Sequence, residues 1–156
     1  MNIRNSLIGL ILAVLGVVAA HGGAGQNDSS VESETLFNPS LSYAQVQFAT
    51  AVQLSDGRWR FDVTLLHNDE GWEHYANAWQ VIDPDSGKIL GERILAHPHD
   101  NEQPFSRSLG GIRIPAEFGT VVVRATCNVH GFGGRKVLVD LSESEGERYR
   151  VQRLPR

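Results

Sequence analysis

The sequence holds one cysteine, Cys127, and one methionine among 156 residues. A lone cysteine forms no intramolecular disulfide and builds no multi-cysteine zinc site. Excess positive charge is missing too. The formal net charge is -4, so nothing neutralises phosphates in bulk, and a generic nucleic-acid binder is excluded. No uncharged apolar run reaches the roughly 20 residues of a membrane span. No segment carries the apolar period of an amphipathic helix, and no repeat exceeds the spacing of strands. What remains is 41% hydrophobic and 21% charged, the composition of one soluble domain large enough to build its own core.

The N-terminus reads as a targeting segment. Arg4 lies in a short polar start, Leu7 to Ala20 carries no charge, and Val18-Ala19-Ala20 ends the run on small residues. Residues 1–20 therefore read as a secretory signal, with export to the periplasm or the exterior and no stable membrane span after cleavage. No cysteine follows the run, so a bacterial lipoprotein is not expected. Cleavage after Ala20 would leave His21 first, where its amine and imidazole can chelate one ion. Cleavage within Gly22 to Gly25 would discard it. Residues 21–41 read as a flexible leader rich in Gly, Ser, Asn and Glu. Residues 143–156, with Arg148, Arg150, Arg153 and Arg156, read as a solvated polar tail.

Between these ends, residues 42–142 alternate apolar and polar side chains, the period of a strand. Trp59, Phe61, Val63 and Leu65 share one face, with Arg58, Arg60, Asp62 and Thr64 on the other. Val121, Val123, Ala125 and Cys127 repeat the pattern, as do Val137, Val139 and Leu141. Seven strands are expected, at about 43–53, 58–67, 74–83, 88–96, 104–114, 119–127 and 135–142. Ser55-Asp56-Gly57 and Pro84-Asp85-Ser86-Gly87 have turn chemistry. Gly110-Gly111 marks a bulge, because the apolar register changes between Leu109 and Ile112. The expected fold is all-β, a single seven-stranded immunoglobulin or fibronectin III-like sandwich with Trp79 as its buried tryptophan. A small β-barrel is the alternative.

If successive strands reverse direction, the loops 67–74, 97–103 and 128–134 share one pole. They carry every histidine outside the leader: His67, His74, His97, His99 and His130. Several imidazoles together bind a borderline divalent metal, copper or zinc before magnesium or calcium. The candidate ligands rank His97, His99, His67, His74, His130, with His21 as an addition. Pro98 restrains the His97-Pro98-His99 backbone, and two residues of spacing puts both rings on one side. Glu70, Asp100 and Glu102 would hydrogen-bond the imidazoles from behind. Cys127 reads as a buried inert thiol, or as a soft copper(I) ligand if it reaches the pole. Two other readings stay open: histidines that lock loops together by hydrogen bonds without metal, and a surface for a small ligand or a periplasmic protein partner.

Catalysis finds little support. Ser106 and Ser108 lack a nucleophile-elbow context, Asp69 and Glu70 lack a glycosidase framework, and Asp83 and Asp85 lack a calcium-loop pattern. The glycine-rich loop 131–134 follows a strand without opening a helix, so it is no phosphate cradle.

The segments His67-Asn68-Asp69-Glu70-Gly71-Trp72-Glu73-His74-Tyr75-Ala76, Trp79, His97-Pro98-His99-Asp100-Asn101-Glu102-Gln103-Pro104-Phe105 and Val129-His130-Gly131-Phe132-Gly133-Gly134 together resemble an uncharacterised family of small secreted proteins of Gram-negative bacteria. The resemblance covers residues 43–141 and implies a periplasmic single-domain protein. A looser similarity, of fold and ligand type only, is to periplasmic copper carriers of the CopC kind. The expected function is transition-metal binding, copper before zinc, as a carrier or sensor. The alternative is a non-catalytic interaction domain.

Overall fold

A computed structural model describes residues 37–155; the expected signal, His21 and most of the expected leader lie outside them. The described chain is all-β, with ten strands in two five-stranded sheets. The strands are β1 (Gln45–Gln53), β2 (Trp59–Leu66), β3 (Ala76–Ile82), β4 (Ile89–Ile94), β5 (Phe105–Ile112), β6 (Thr120–Cys127), β7 (Gly131–Phe132), β8 (Val137–Asp140), β9 (Glu145–Gly146) and β10 (Tyr149–Arg153). One sheet runs β5-β2-β1-β10-β9. The other runs β4-β3-β6, with β7 and β8 both pairing along the outer side of β6.

Alternation explains the strands. Trp59, Phe61, Val63 and Leu65 are buried, while Arg60 is exposed and Asp62 and Thr64 lie part-way. Val121, Val123 and Ala125 from β6 and Val137 and Val139 from β8 meet them from the facing sheet. Trp79 is fully buried, as its position on the third strand suggested. The expected bulge is present: Trp59 and Phe61 pair with Ile112 and Leu109, so β5 carries the extra residue at Gly110-Gly111. Gly111 takes φ 78° there, a backbone that favours glycine. Among the described strands no ladder joins the two sheets, so the small barrel does not form.

Two expectations are corrected. All seven expected strands form, but three more join them, so the count of seven falls short. The expected solvated tail also enters the structure. Its strand β10 pairs in parallel with β1 over five residues, from Ala49 with Tyr149 to Gln53 with Arg153. Val151 is buried and Tyr149 packs against the core. Without β10, β1 would leave an open sheet edge; four arginines around one buried valine concealed that role. At the other end, the last residues of the expected leader are tied down. Asn38 N–H donates to Gly133 O at 2.8 Å, and Asn68 N–H donates to Leu41 O at 3.0 Å.

Candidate metal centre

The loops after β2, β4 and β6 meet at one pole, and hydrogen bonds lock them together. Asn128 does most of this. Its side-chain amide donates to Trp72 O and Glu73 O, both at 3.2 Å, and its Oδ1 accepts Tyr75 N–H at 2.8 Å. Gln103 Oε1 accepts His67 N–H at 3.0 Å. Asp69 joins the second loop to the first by accepting His99 N–H at 2.6 Å.

His67 is 1% exposed. Its Nδ1 lies 2.6 Å from Asp69 Oδ1, which also accepts Ala76 N–H at 3.1 Å. A carboxylate that accepts there keeps the ring hydrogen on Nδ1, so a neutral ring carries its lone pair on Nε2. The same logic applies to His74, whose Nδ1 lies 3.3 Å from Glu70 Oε2. Gly71, at φ 74°, makes the turn that brings Glu70 back to His74, with Glu70 N–H donating to His74 O at 2.8 Å.

The two Nε2 atoms point to one place, and Cys127 reaches it from the end of β6. Atoms of His67, His74 and Cys127 that can bind metal all lie within 4.8 Å of one another. Cys127 is thus both buried, as its register predicted, and at the pole. Its sulfur accepts His130 N–H at 3.2 Å. His130 Nδ1 stands beside the group, 3.2 Å from His74 Nε2 and 3.7 Å from Cys127 Sγ. Its ring is exposed.

The Ser42 carbonyl oxygen occupies the focus, 3.2 Å from His67 Nε2, 3.2 Å from His74 Nε2 and 3.4 Å from Cys127 Sγ. With both Nδ1 atoms engaged by carboxylates, both Nε2 atoms and the sulfur face this one oxygen.

His97 and His99, ranked first by spacing, are not in this group. His99 is 4% exposed and neither ring nitrogen has a hydrogen-bond partner. It stacks on Phe105 with centroids 3.9 Å apart and planes 6° apart. Burial pushes its imidazole below the ordinary histidine value, and the Arg107 and His97 charges push the same way. His97 is exposed, lies 4.6 Å from the His99 ring and turns its Nδ1 to the Pro98 carbonyl.

The carboxylates also divide. Glu70 backs His74 as expected. Glu102 instead binds Arg107 through two contacts of 3.1 and 2.8 Å, which hold its carboxyl below the usual range. Asp100 is exposed at a shallow cavity of about 450 Å³ that it shares with Trp72, His97 and His99. Asp69, one of the flanking carboxylates of this pole, was not singled out behind an imidazole as Glu70, Asp100 and Glu102 were. Its signal was its place two residues from His67, where a side chain can reach back to the ring. The Ser42 carbonyl left no signal, because a main-chain atom carries no residue type.

Among the described residues, no helix is long and apolar enough to cross a membrane. No family model matches the chain. An 80-residue stretch is 44% identical to a protein of Halomicrobium mukohataei named "Putative lipoprotein". The match covers 51% of this chain and 38% of that protein, so the chain spans well under half of its relative's length. A superoxide reductase (neelaredoxin) of Archaeoglobus fulgidus has a TM-score of 0.35 and 13% identity, over 62% of this chain and 83% of that one.

Proposed function

We propose that the protein binds a transition metal, copper before zinc, through His67, His74 and Cys127, with His130 at the exposed edge. The supporting observation is the convergence of two Nε2 atoms and one sulfur, each ring held from behind by a carboxylate. A carboxylate behind a ligating histidine fixes its tautomer and raises its basicity. Two imidazoles and one thiolate suit copper in either oxidation state, and zinc next. The role is that of a metal-holding protein outside the cytoplasm. The signal pattern at residues 1–20 and the name of the Halomicrobium relative both favour an exported protein.

The strand order supports a fibronectin III-like sandwich. The seven expected strands run 1-2-5 in one sheet and 4-3-6-8 in the other. An immunoglobulin constant domain orders its strands 1-2-5-4 and 3-6-7. The fourth strand here has moved to the opposite sheet, and β8 takes the seventh place.

The test is titration of the purified mature chain with copper(I), copper(II), zinc and iron(II), followed by competition with chelators and by thermal melting. The expected result is one ion per chain, a raised melting temperature and loss of binding in Cys127→Ala. Absence of tight binding by all four ions would sink the reading. It would favour a metal-free lock, in which the rings and the thiol hydrogen-bond to the Ser42 carbonyl and hold the loops as a partner surface.

A further inference from the structure

The contacts of Ser42 carry a second step, which rests on the metal reading of the same site. Its carbonyl oxygen is nearly equidistant from His67 Nε2, His74 Nε2 and Cys127 Sγ, at 3.2, 3.2 and 3.4 Å. A point equidistant from three corners lies on the axis through their triangle. We infer that the Ser42 carbonyl is an axial ligand, and that the completed two-histidine, thiolate and carbonyl set is a one-electron copper centre.

Metal–nitrogen bonds of roughly 2.0–2.1 Å and a metal–sulfur bond of about 2.3 Å are usual. The three ligand atoms lie within 4.8 Å of one another, close enough for one ion to draw together, and the Ser42 oxygen stands on the axis of their triangle. A trigonal pair of histidines with a cysteine, under a long axial oxygen or thioether, is the arrangement of electron-transfer copper.

The oxygen is held for this place. Its neighbours are all engaged: Ser40 O accepts Tyr43 N–H, Leu41 O accepts Asn68 N–H, and Tyr43 O accepts Gln45 Nε2–H. Ser42 O alone of these four faces only the ring nitrogens and the thiol. The buried Gln45 amide also donates to Asn38 O and Ser40 O, both at 2.9 Å, pinning the segment. From below, Gly134 leaves no room: a Cβ there would sit 2.2 Å from Ala44 O.

The burial pattern favours electrons over metal exchange. His67 and Cys127 are 1% and 2% exposed, so releasing an ion means opening the pole. An electron needs no opening. It can leave through His74 and the exposed His130 ring, whose centroids are 4.9 Å apart. The step balances simply: copper(II) accepts one electron from a one-electron donor and becomes copper(I), the donor is oxidised by one electron, and no protein bond forms or breaks.

The test loads the mature full chain with copper(II) and follows visible absorption and electron paramagnetic resonance. Ascorbate then reduces it and ferricyanide reoxidises it. The expected result is a strong thiolate-to-copper band that bleaches and returns with one electron per copper, and that vanishes in Cys127→Ser. Gly134→Ala, which must displace the segment at Ala44, and Gln45→Glu, which removes the amide behind three carbonyl contacts, are each expected to keep copper while shifting the band and the midpoint potential. Circular dichroism confirms that each variant folds. Stoichiometric copper without the band, without a reversible cycle, or with no shift in either folded variant overturns this inference and leaves the metal reading standing. No copper bound at all overturns this inference, and the metal reading falls with it when zinc and iron(II) also fail to bind.

Discussion

Asp69 has histidines on two sides, and they behave differently. On one side its Oδ1 holds His67 Nδ1 at 2.6 Å and turns the other nitrogen toward His74 and Cys127. On the other, its Oδ2 takes only the backbone N–H of His99, whose ring nitrogens lie buried without partners, 3.9 Å at the nearest from the same carboxylate. His99 packs as an aromatic ring against Phe105. Residue type and loop position are shared by both sides. The difference is what holds the far nitrogen. A carboxylate behind one ring nitrogen aims the other as a ligand, whereas a ring held by its faces is core.

The largest expected effect tests that difference directly. Cys127→Ala and His67→Ala should each weaken metal binding by more than the roughly 10–100-fold typical of losing an outer partner. His97→Ala should leave affinity unchanged. Chelator competition on the three variants measures this, and a His97→Ala loss matching the other two would erase the comparison. Asp69→Asn comes next. Its carboxylate side chain is fully buried and serves His67, Ala76 and His99 at once. We expect an affinity loss of about 10–100-fold and a stability loss of about 1–3 kcal/mol in the metal-free protein, read by urea melts. Stability lost with affinity intact would make Asp69 a lock and nothing more.

Much of this arrangement was legible in the sequence. Alternation located seven strands, and direction reversal then sent all five loop histidines to one pole without any contact information. The ranking within the pole was not legible. His97-Pro98-His99 has attractive spacing, but spacing does not reveal that Phe105 offers His99 a parallel face. Cys127 was split between a buried position and a place at the pole, and it has both, because the strand register and the end of the strand fall on the same residue. The pairing of β10 with β1 was hidden for a different reason. Parallel partners from opposite ends of the chain share no turn, and a strand with one buried residue has almost no apolar signal.

The smallest effects belong to His99, and they carry a sign. Burial lowers its affinity for protons in the folded protein below the ordinary histidine value of 6.5. The unfolded chain therefore takes up the proton first as pH falls. Its contribution to stability is complete above 6.5 and declines as pH drops from there toward the folded value. His99→Phe removes that proton linkage while keeping a ring on Phe105. It also removes two buried nitrogens without partners, a burden of about 1–3 kcal/mol when such groups are stranded. We expect the variant to gain about 1 kcal/mol at about pH 8, to lose part of the acid-side slope, and to keep its metal affinity. Urea melts at several pH values on both metal-free proteins decide the matter. A destabilised His99→Phe would mean that the His99 ring nitrogens hold partners after all, and that the two sides of Asp69 are more alike than their geometry indicates.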